Sequence, residues 1–137
     1  MESVSGVGWR MPFVRISLHA SKSADYRRAT ADGIHQAMVE TLGVPAQDRF
    51  QVVTEHDADG LIYDPSYLGI ERTDDVVFVQ VTLSGGRKPK QKRDFYARAA
   101  ELLAKRPGLK PQELLINLVE VAWENWSFGD GKAQYTE

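Results

Sequence analysis

The feature of this sequence that most constrains its fold is an internal repeat with an offset of 65 residues. Residues 14–55 align with residues 79–120 without a gap. The identical pairs are Val14/Val79, Leu18/Leu83, Arg28/Arg93, Gly43/Gly108, Gln47/Gln112 and Glu55/Glu120. These identities are few, but both segments also share one order of strand, turn, helix, glycine and strand patterns. The sequence therefore predicts one structural unit used twice.

The pattern inside each unit predicts a strand, a helix and a second strand. In the first unit, alternating apolar residues predict a strand over 12–18. Ser23 fits a helix N-cap, and Gly43 followed by Pro45 fits the end of that helix. A second strand is expected at about 49–55.

The second unit follows the same pattern after a polar loop. We expect an irregular segment or a short edge hairpin over 66–75, and a long strand over 76–83. A helix over about 89–105 and a strand over 114–120 complete the unit. Because parallel strands are joined by right-handed crossovers, the chain is expected to be an α/β protein with duplicated β-α-β units. These units form a four-stranded sheet with two helices on one face.

The second face of this sheet has no helix to cover it. Residues 76–83 are apolar nearly throughout, which is typical of a strand buried on both faces. A large exposed apolar face usually marks an interface. We therefore expect subunits to pack sheet to sheet in a closed oligomer.

Composition limits the partners and the compartment. The chain of 137 residues fits a single domain over 12–137 preceded by an N-terminal extension, 1–11. A net charge of −2 argues against nucleic acid or an anionic membrane as the main partner. There is no cysteine, no metal-ligand spacing among the histidines, and no apolar run of about 20 residues. No signal peptide is recognisable, so we expect a cytoplasmic protein without a metal site.

Two stretches at matching spacing carry a resemblance to a known family. They are Gly-Val-Pro-Ala-Gln-Asp-Arg-Phe at 43–50 and Trp-Ser-Phe-Gly-Asp-Gly at 126–131, and a Met-Pro pair precedes the first strand. Together with the repeated β-α-β units, they resemble the tautomerase superfamily, most closely its malonate semialdehyde decarboxylases. The resemblance implies a cofactor-independent homotrimer whose sites are each centred on an amino-terminal proline, acting on a small oxo-carboxylate.

The resemblance also implies roles for individual residues. The catalytic proline falls on Pro12, the aspartate that positions water or a proton on Asp48, and a carboxylate-binding arginine on Arg87. Trp126 and Phe128 fall on the aromatic wall of the substrate pocket. A second arginine of the decarboxylase pattern would fall at residue 85, which is glycine here. Tautomerisation or hydration is therefore as compatible with this sequence as decarboxylation.

Each of these residues also has a structural explanation. A free prolyl amine is a base, but Pro12 has one only if the mature chain begins there; otherwise it is a strand-opening proline. Arg87 fits a carboxylate clamp or a basic patch, and Asp48 fits a water-positioning group or a turn cap. The alternative to an enzyme is a non-catalytic oligomer that binds a small anion or a protein, with Pro12 blocked.

Overall fold

The computed structural model describes residues 12–136, so the predicted extension at 1–11 lies outside the described residues. The main elements are β1 (Phe13–His19), α1 (Ala24–Leu42), β2 (Phe50–His56), β3 (Val77–Ser84), α2 (Pro89–Lys105) and β4 (Leu114–Val121). These bounds agree closely with the pattern of the sequence. Between β2 and β3 the chain forms a short 3-10 turn, Tyr67–Gly69, where a hairpin was one of the two expectations.

The sheet has the strand order β2-β1-β3-β4 and follows the internal repeat. Strands β1 and β2 are parallel, as are β3 and β4, while β1 and β3 are antiparallel. Phe13 pairs with Phe50 in the first unit, and Val77 pairs with Leu114 in the second. Both pairings have the same sequence offset, which confirms the predicted duplication.

Both helices begin and end where local chemistry directs them. The Ser23 hydroxyl accepts a hydrogen bond from the Tyr26 N–H at 3.1 Å, and Gly43 ends α1 in the left-handed region at φ 72°.

Helices α1 and α2 pack against each other on one face of the sheet. A Cβ atom added at Gly33 would lie 2.6 Å from Leu103 Cδ2, so glycine permits the close approach of the two helices. No helix in residues 12–136 has the length and apolar character needed to cross a membrane.

The core lies between the helices and the sheet. Alternate residues of the central strands, such as Val14, Ile16 and Val79, are almost fully buried there. The opposite face, which we call the open face, carries a polar row across its middle that includes Arg15, Gln80 and Asn117. The expectation from residues 76–83 was an apolar second face. The open face is instead apolar mainly at its two ends, because Phe78 is the one apolar residue that β3 places on it, followed by Gln80, Thr82 and Ser84.

Candidate functional site

The topology brings all the candidate residues to one edge of the sheet, meaning the side formed by the ends of the strands and not by an outer strand. Pro12 immediately precedes β1, and Asp48 lies just before β2, which runs parallel to β1. Strands β3 and β4 run the opposite way and end at this edge. Arg87 therefore follows β3 there, and the C-terminal segment with Trp126 and Phe128 follows β4.

A cavity of about 310 Å³ opens at this edge, and we call it the proline pocket. Its lining residues are Pro12, Phe13, Phe50, Trp126, Ser127 and Phe128. Pro12 is buried, and of the described residues that line the pocket Ser127 is the one with a hydroxyl or other small polar side chain. The pocket thus brings a buried proline together with the aromatic rings of Trp126 and Phe128.

The aromatic wall is held in place by ring contacts. The Trp126 and Phe128 rings stack with centroids 5.4 Å apart and planes 14° apart. Behind them, Tyr135 packs edge-on against Phe128 at 4.9 Å and also against Trp123 at 4.9 Å. The Phe128 N–H donates to Gln134 Oε1 at 2.9 Å, which closes the C-terminal segment on itself. The wall is therefore a folded unit rather than a loose tail.

Arg87 lies at the same edge but does not line the pocket. Its side chain is buried, with Nε donating to Leu42 O at 3.0 Å and Nη1 donating to Ser84 O at 3.0 Å. Burial lowers the pKa of Arg87 to about 10, an effect that the nearby Glu120 carboxylate opposes. Arg87 therefore remains a cation at neutral pH and connects the end of α1 to the end of β3. Its charge also complements the negative end of the α1 dipole.

Asp48 occupies the turn before β2 and is half-buried. Its N–H donates to Pro45 O at 3.0 Å, and its side chain is not part of the pocket lining. The adjacent Arg49 contacts Asp32 at 2.6 Å and Gln51 at 2.8 Å. Arg49 is thus paired with side chains of α1 and β2.

The basic run at the start of α2 forms surface ion pairs. Lys90 contacts Asp94 at 2.8 Å, and Lys92 contacts Glu120 at 3.0 Å. Two of the cations at the helix N-terminus are thus paired with carboxylates of the protein itself. Among residues 12–136, no group of His, Asp or Glu side chains is arranged to hold a metal ion.

Sequence reasoning missed three residues of the pocket. Phe13, Phe50 and Ser127 line it, although none was singled out from the sequence. Phe13 and Phe50 are paired across β1 and β2 at the first position of each strand, on the open face. The signal was the parallel pairing of β1 and β2 expected within the first unit, which places the first residues of the two strands side by side.

Comparisons with known proteins agree with this arrangement. Two family models, both described as tautomerase enzyme, match residues 48–129 and 12–70. The chain is 36% identical to the probable tautomerase YusQ of Bacillus subtilis (strain 168), over 93% of this chain and 100% of that protein. The second relative, the probable tautomerase YrdN of the same organism, is 35% identical over 91% of this chain and 96% of that protein.

Solved structures give the same result. FG41 malonate semialdehyde decarboxylase inhibited by 3-bromopropiolate is 40% identical with a TM-score of 0.84, and the match covers 90% of this chain and 94% of that one. A second malonate semialdehyde decarboxylase, studied for its decarboxylase and hydratase activities, is 31% identical with a TM-score of 0.84 over 90% and 95% of the two chains. A fused 4-OT trimer, at 18% identity and a TM-score of 0.71, shares the fold over 90% of this chain and 98% of that one.

Proposed function

We propose, because the chain belongs to the tautomerase family, that it catalyses proton transfer on a small oxo-carboxylate with Pro12 as the acid–base group. The observation that carries this proposal is the position of Pro12, buried at the start of β1 in a cavity walled by Trp126 and Phe128. A malonate semialdehyde or the enol of a 2-oxo acid fits this substrate class. The reaction is tautomerisation, hydration or decarboxylation, with no cofactor required.

The proposed chemistry uses the nitrogen of Pro12 as a free secondary amine. An α-amino group titrates near pH 8, and an apolar pocket lowers that value towards neutrality because the cation is desolvated. The neutral amine accepts the enol hydroxyl proton, and the resulting cation delivers a proton to the adjacent carbon. The proton count balances, and the amine returns to its starting state.

Arg87 and Asp48 have supporting roles in this proposal. The Arg87 cation lies at the same edge, where it favours the approach of a carboxylate. Direct binding requires its guanidinium to exchange the Ser84 carbonyl for the substrate carboxylate. Asp48, in the turn beside the pocket edge, positions water or the far end of the substrate.

Self-association is part of the same proposal. No helix of residues 12–136 covers the open face, and Phe50 and Val52 are exposed on it. The fused 4-OT neighbours were solved as trimers. A homotrimer that packs through the middle of the open face and its proline-pocket end would cover these two side chains and close the mouth of the proline pocket.

The experiment compares chains that begin at Pro12 with and without the proline. In such a chain, Pro12→Ala is expected to slow the conversion of phenylenolpyruvate by about tenfold or more, as loss of an acid–base group does. Pro65→Ala, at an exposed loop position, is the matched control and should retain the parent rate. Equal rates for Pro12→Ala and the parent chain would contradict the proposal.

A second function is supported by two observations. Residues 1–11 precede Pro12 in the sequence, and an acylated proline nitrogen has no basic lone pair. The Arg87 guanidinium, moreover, is already engaged by backbone carbonyls. Both features suit a non-catalytic oligomer that binds a small anion or a protein. The intact mass of the chain from its native source separates the two functions, since only a chain beginning at Pro12 has the amine.

A further inference from the structure

The internal repeat extends to the proline pocket itself. Phe13 and Phe50 of that pocket correspond, at the offset of 65, to Phe78 and Leu115. Ser127 and Phe128 correspond in the same way to Ile62 and Tyr63. These four counterparts line a separate cavity of about 240 Å³, which we call the far pocket.

The far pocket lies on the open face at the opposite end of the sheet. Phe78 pairs with Ser17 in β1, whereas Phe13 begins that strand. The two positions are four residues apart, or about 13 Å at the rise of a strand. The two cavities are therefore distinct sites built by equivalent segments of the two repeats.

The far pocket differs from the proline pocket in its chemistry. Val77 stands where the first repeat has Pro12, so this end has no proline to serve as a base. In addition, Arg72, Asp64 and Tyr67 line the cavity, whereas no charged side chain of residues 12–136 lines the proline pocket. The far pocket is therefore suited to binding without proton transfer.

Arg72 is held in place with part of its guanidinium unused. Its Nη1 contacts the carbonyl oxygens of Tyr67 at 3.1 Å, Ile70 at 3.2 Å and Asp64 at 3.4 Å. Within residues 12–136, its Nε and Nη2 have no hydrogen-bond partner. The group is half-buried, while the Asp64 side chain is exposed and screened by water. Water therefore screens the Arg72 charge less than the Asp64 charge, which favours an anion in this pocket.

From these observations we infer that the far pocket is a second ligand site, which binds a small carboxylate with an aromatic or aliphatic tail and does not transform it. The carboxylate contacts the free N–H groups of Arg72, and the tail packs against Tyr63, Phe78 and Leu115. This site is independent of the acid–base chemistry proposed for Pro12.

The test is binding of 4-fluorophenylacetate to the full chain, followed by ¹⁹F NMR and calorimetry. Two equivalents per chain are expected, one for each pocket. Arg72→Gln should weaken the second equivalent by about tenfold or more, the loss expected for a charge-assisted hydrogen bond. Arg93→Gln, at an exposed position of α2, is the matched control and should retain both equivalents.

A second variant covers the case in which Arg72→Gln disturbs its loop. Tyr67→Ala leaves the backbone carbonyl that Arg72 contacts, and it should weaken the same equivalent. Phe128→Ala should weaken only the other one, which separates this site from the proposed function. A single equivalent that Arg72→Gln weakens would still support the far pocket and would count against the proline pocket. Binding that neither Arg72→Gln nor Tyr67→Ala weakens, or tighter binding of 2-phenylethylamine than of the carboxylate, would overturn the inference.

Discussion

Arg15 and Gln80 face each other across the antiparallel strands β1 and β3, and they also occupy equivalent positions in the two repeats. The pseudo-two-fold axis of the molecule therefore passes between these two side chains on the open face. One consequence is that each end of the sheet is built from the same segments of opposite repeats. The proline pocket and the far pocket are related by this axis.

The buried Arg87 is expected to contribute strongly to stability. Arg87→Met removes the donors to Leu42 O and Ser84 O and should lower the free energy of unfolding by about 2–4 kcal/mol. Arg93→Met, at an exposed position of α2, should change it by less than about 0.5 kcal/mol. Denaturant unfolding of the two variants checks this. Equal stability of both would mean that the two carbonyl contacts contribute nothing.

The ion pair of Asp32 with Arg49 predicts a dependence of stability on pH. The Arg49 hydrogen bond lowers the pKa of Asp32 below its usual value, so the unfolded chain takes up this proton first as the pH falls. The pair therefore stabilises the protein above the unfolded pKa, near 4, and its contribution is lost as the pH falls through the lower folded pKa.

The contribution should be at most about 1 kcal/mol, because the Asp32 side chain is about one-third exposed. Asp32→Asn should flatten the acid limb of a plot of unfolding free energy against pH. Asp130→Asn, in the C-terminal segment, serves as the control. A parallel acid limb in Asp32→Asn and the parent chain would be evidence against the assignment.

Gly33 is expected to be required for the packing of the two helices. Alanine improves helix propensity by about 1 kcal/mol, but a Cβ at this position would lie 2.6 Å from the fully buried Leu103. Overpacking of a core costs about 1–3 kcal/mol, so Gly33→Ala should lower the melting temperature. Adding Leu103→Val should restore part of the loss in a double-mutant cycle. A higher melting temperature in Gly33→Ala alone would show that Leu103 moves freely.

The open face is expected to mediate self-association. Val119 lies on this face opposite Thr82 in the neighbouring strand. Val119→Asp would place a charge inside an interface formed by this face, and the protein should dissociate to the monomer. Ala104→Asp, on the exposed side of α2, should leave the assembly intact. Sedimentation velocity measures both, and an unchanged sedimentation coefficient in Val119→Asp would place the interface elsewhere.

The architecture could be predicted from the sequence because it depends on local patterns. The local signals are the alternation of apolar and polar residues in β1, the N-cap at Ser23 and the glycine at 43. The offset of 65 implied that both halves of the chain have the same parallel pairing. Each strand bound differs from the predicted one by at most one residue, which is within the usual uncertainty where strands end.

The orientation of side chains at the site could not be predicted in the same way. Whether Arg87 points into a pocket or towards Leu42 depends on how α1 ends against β3, a contact between residues 45 positions apart. The far pocket was missed for a related reason. Ile62 and Tyr63 lie in a segment without regular structure, where no periodicity indicates which residues meet.

The strand order also bears on how the chain avoids pairing with other copies of itself during synthesis. Strand β1 is synthesised early but lies inside the finished sheet, between β2 and β3. The side of β1 that pairs with β3 therefore has no partner strand until residues 77–84 have been synthesised. If the β1 strands of two unfinished chains paired antiparallel in the same register, Arg15 of one would lie opposite Arg15 of the other. Like charges directly opposite each other are unfavourable. Within one chain Arg15 meets the neutral Gln80 instead. The charge of Arg15 thus favours pairing of β1 with β3 of the same chain over pairing of β1 with β1 of another chain.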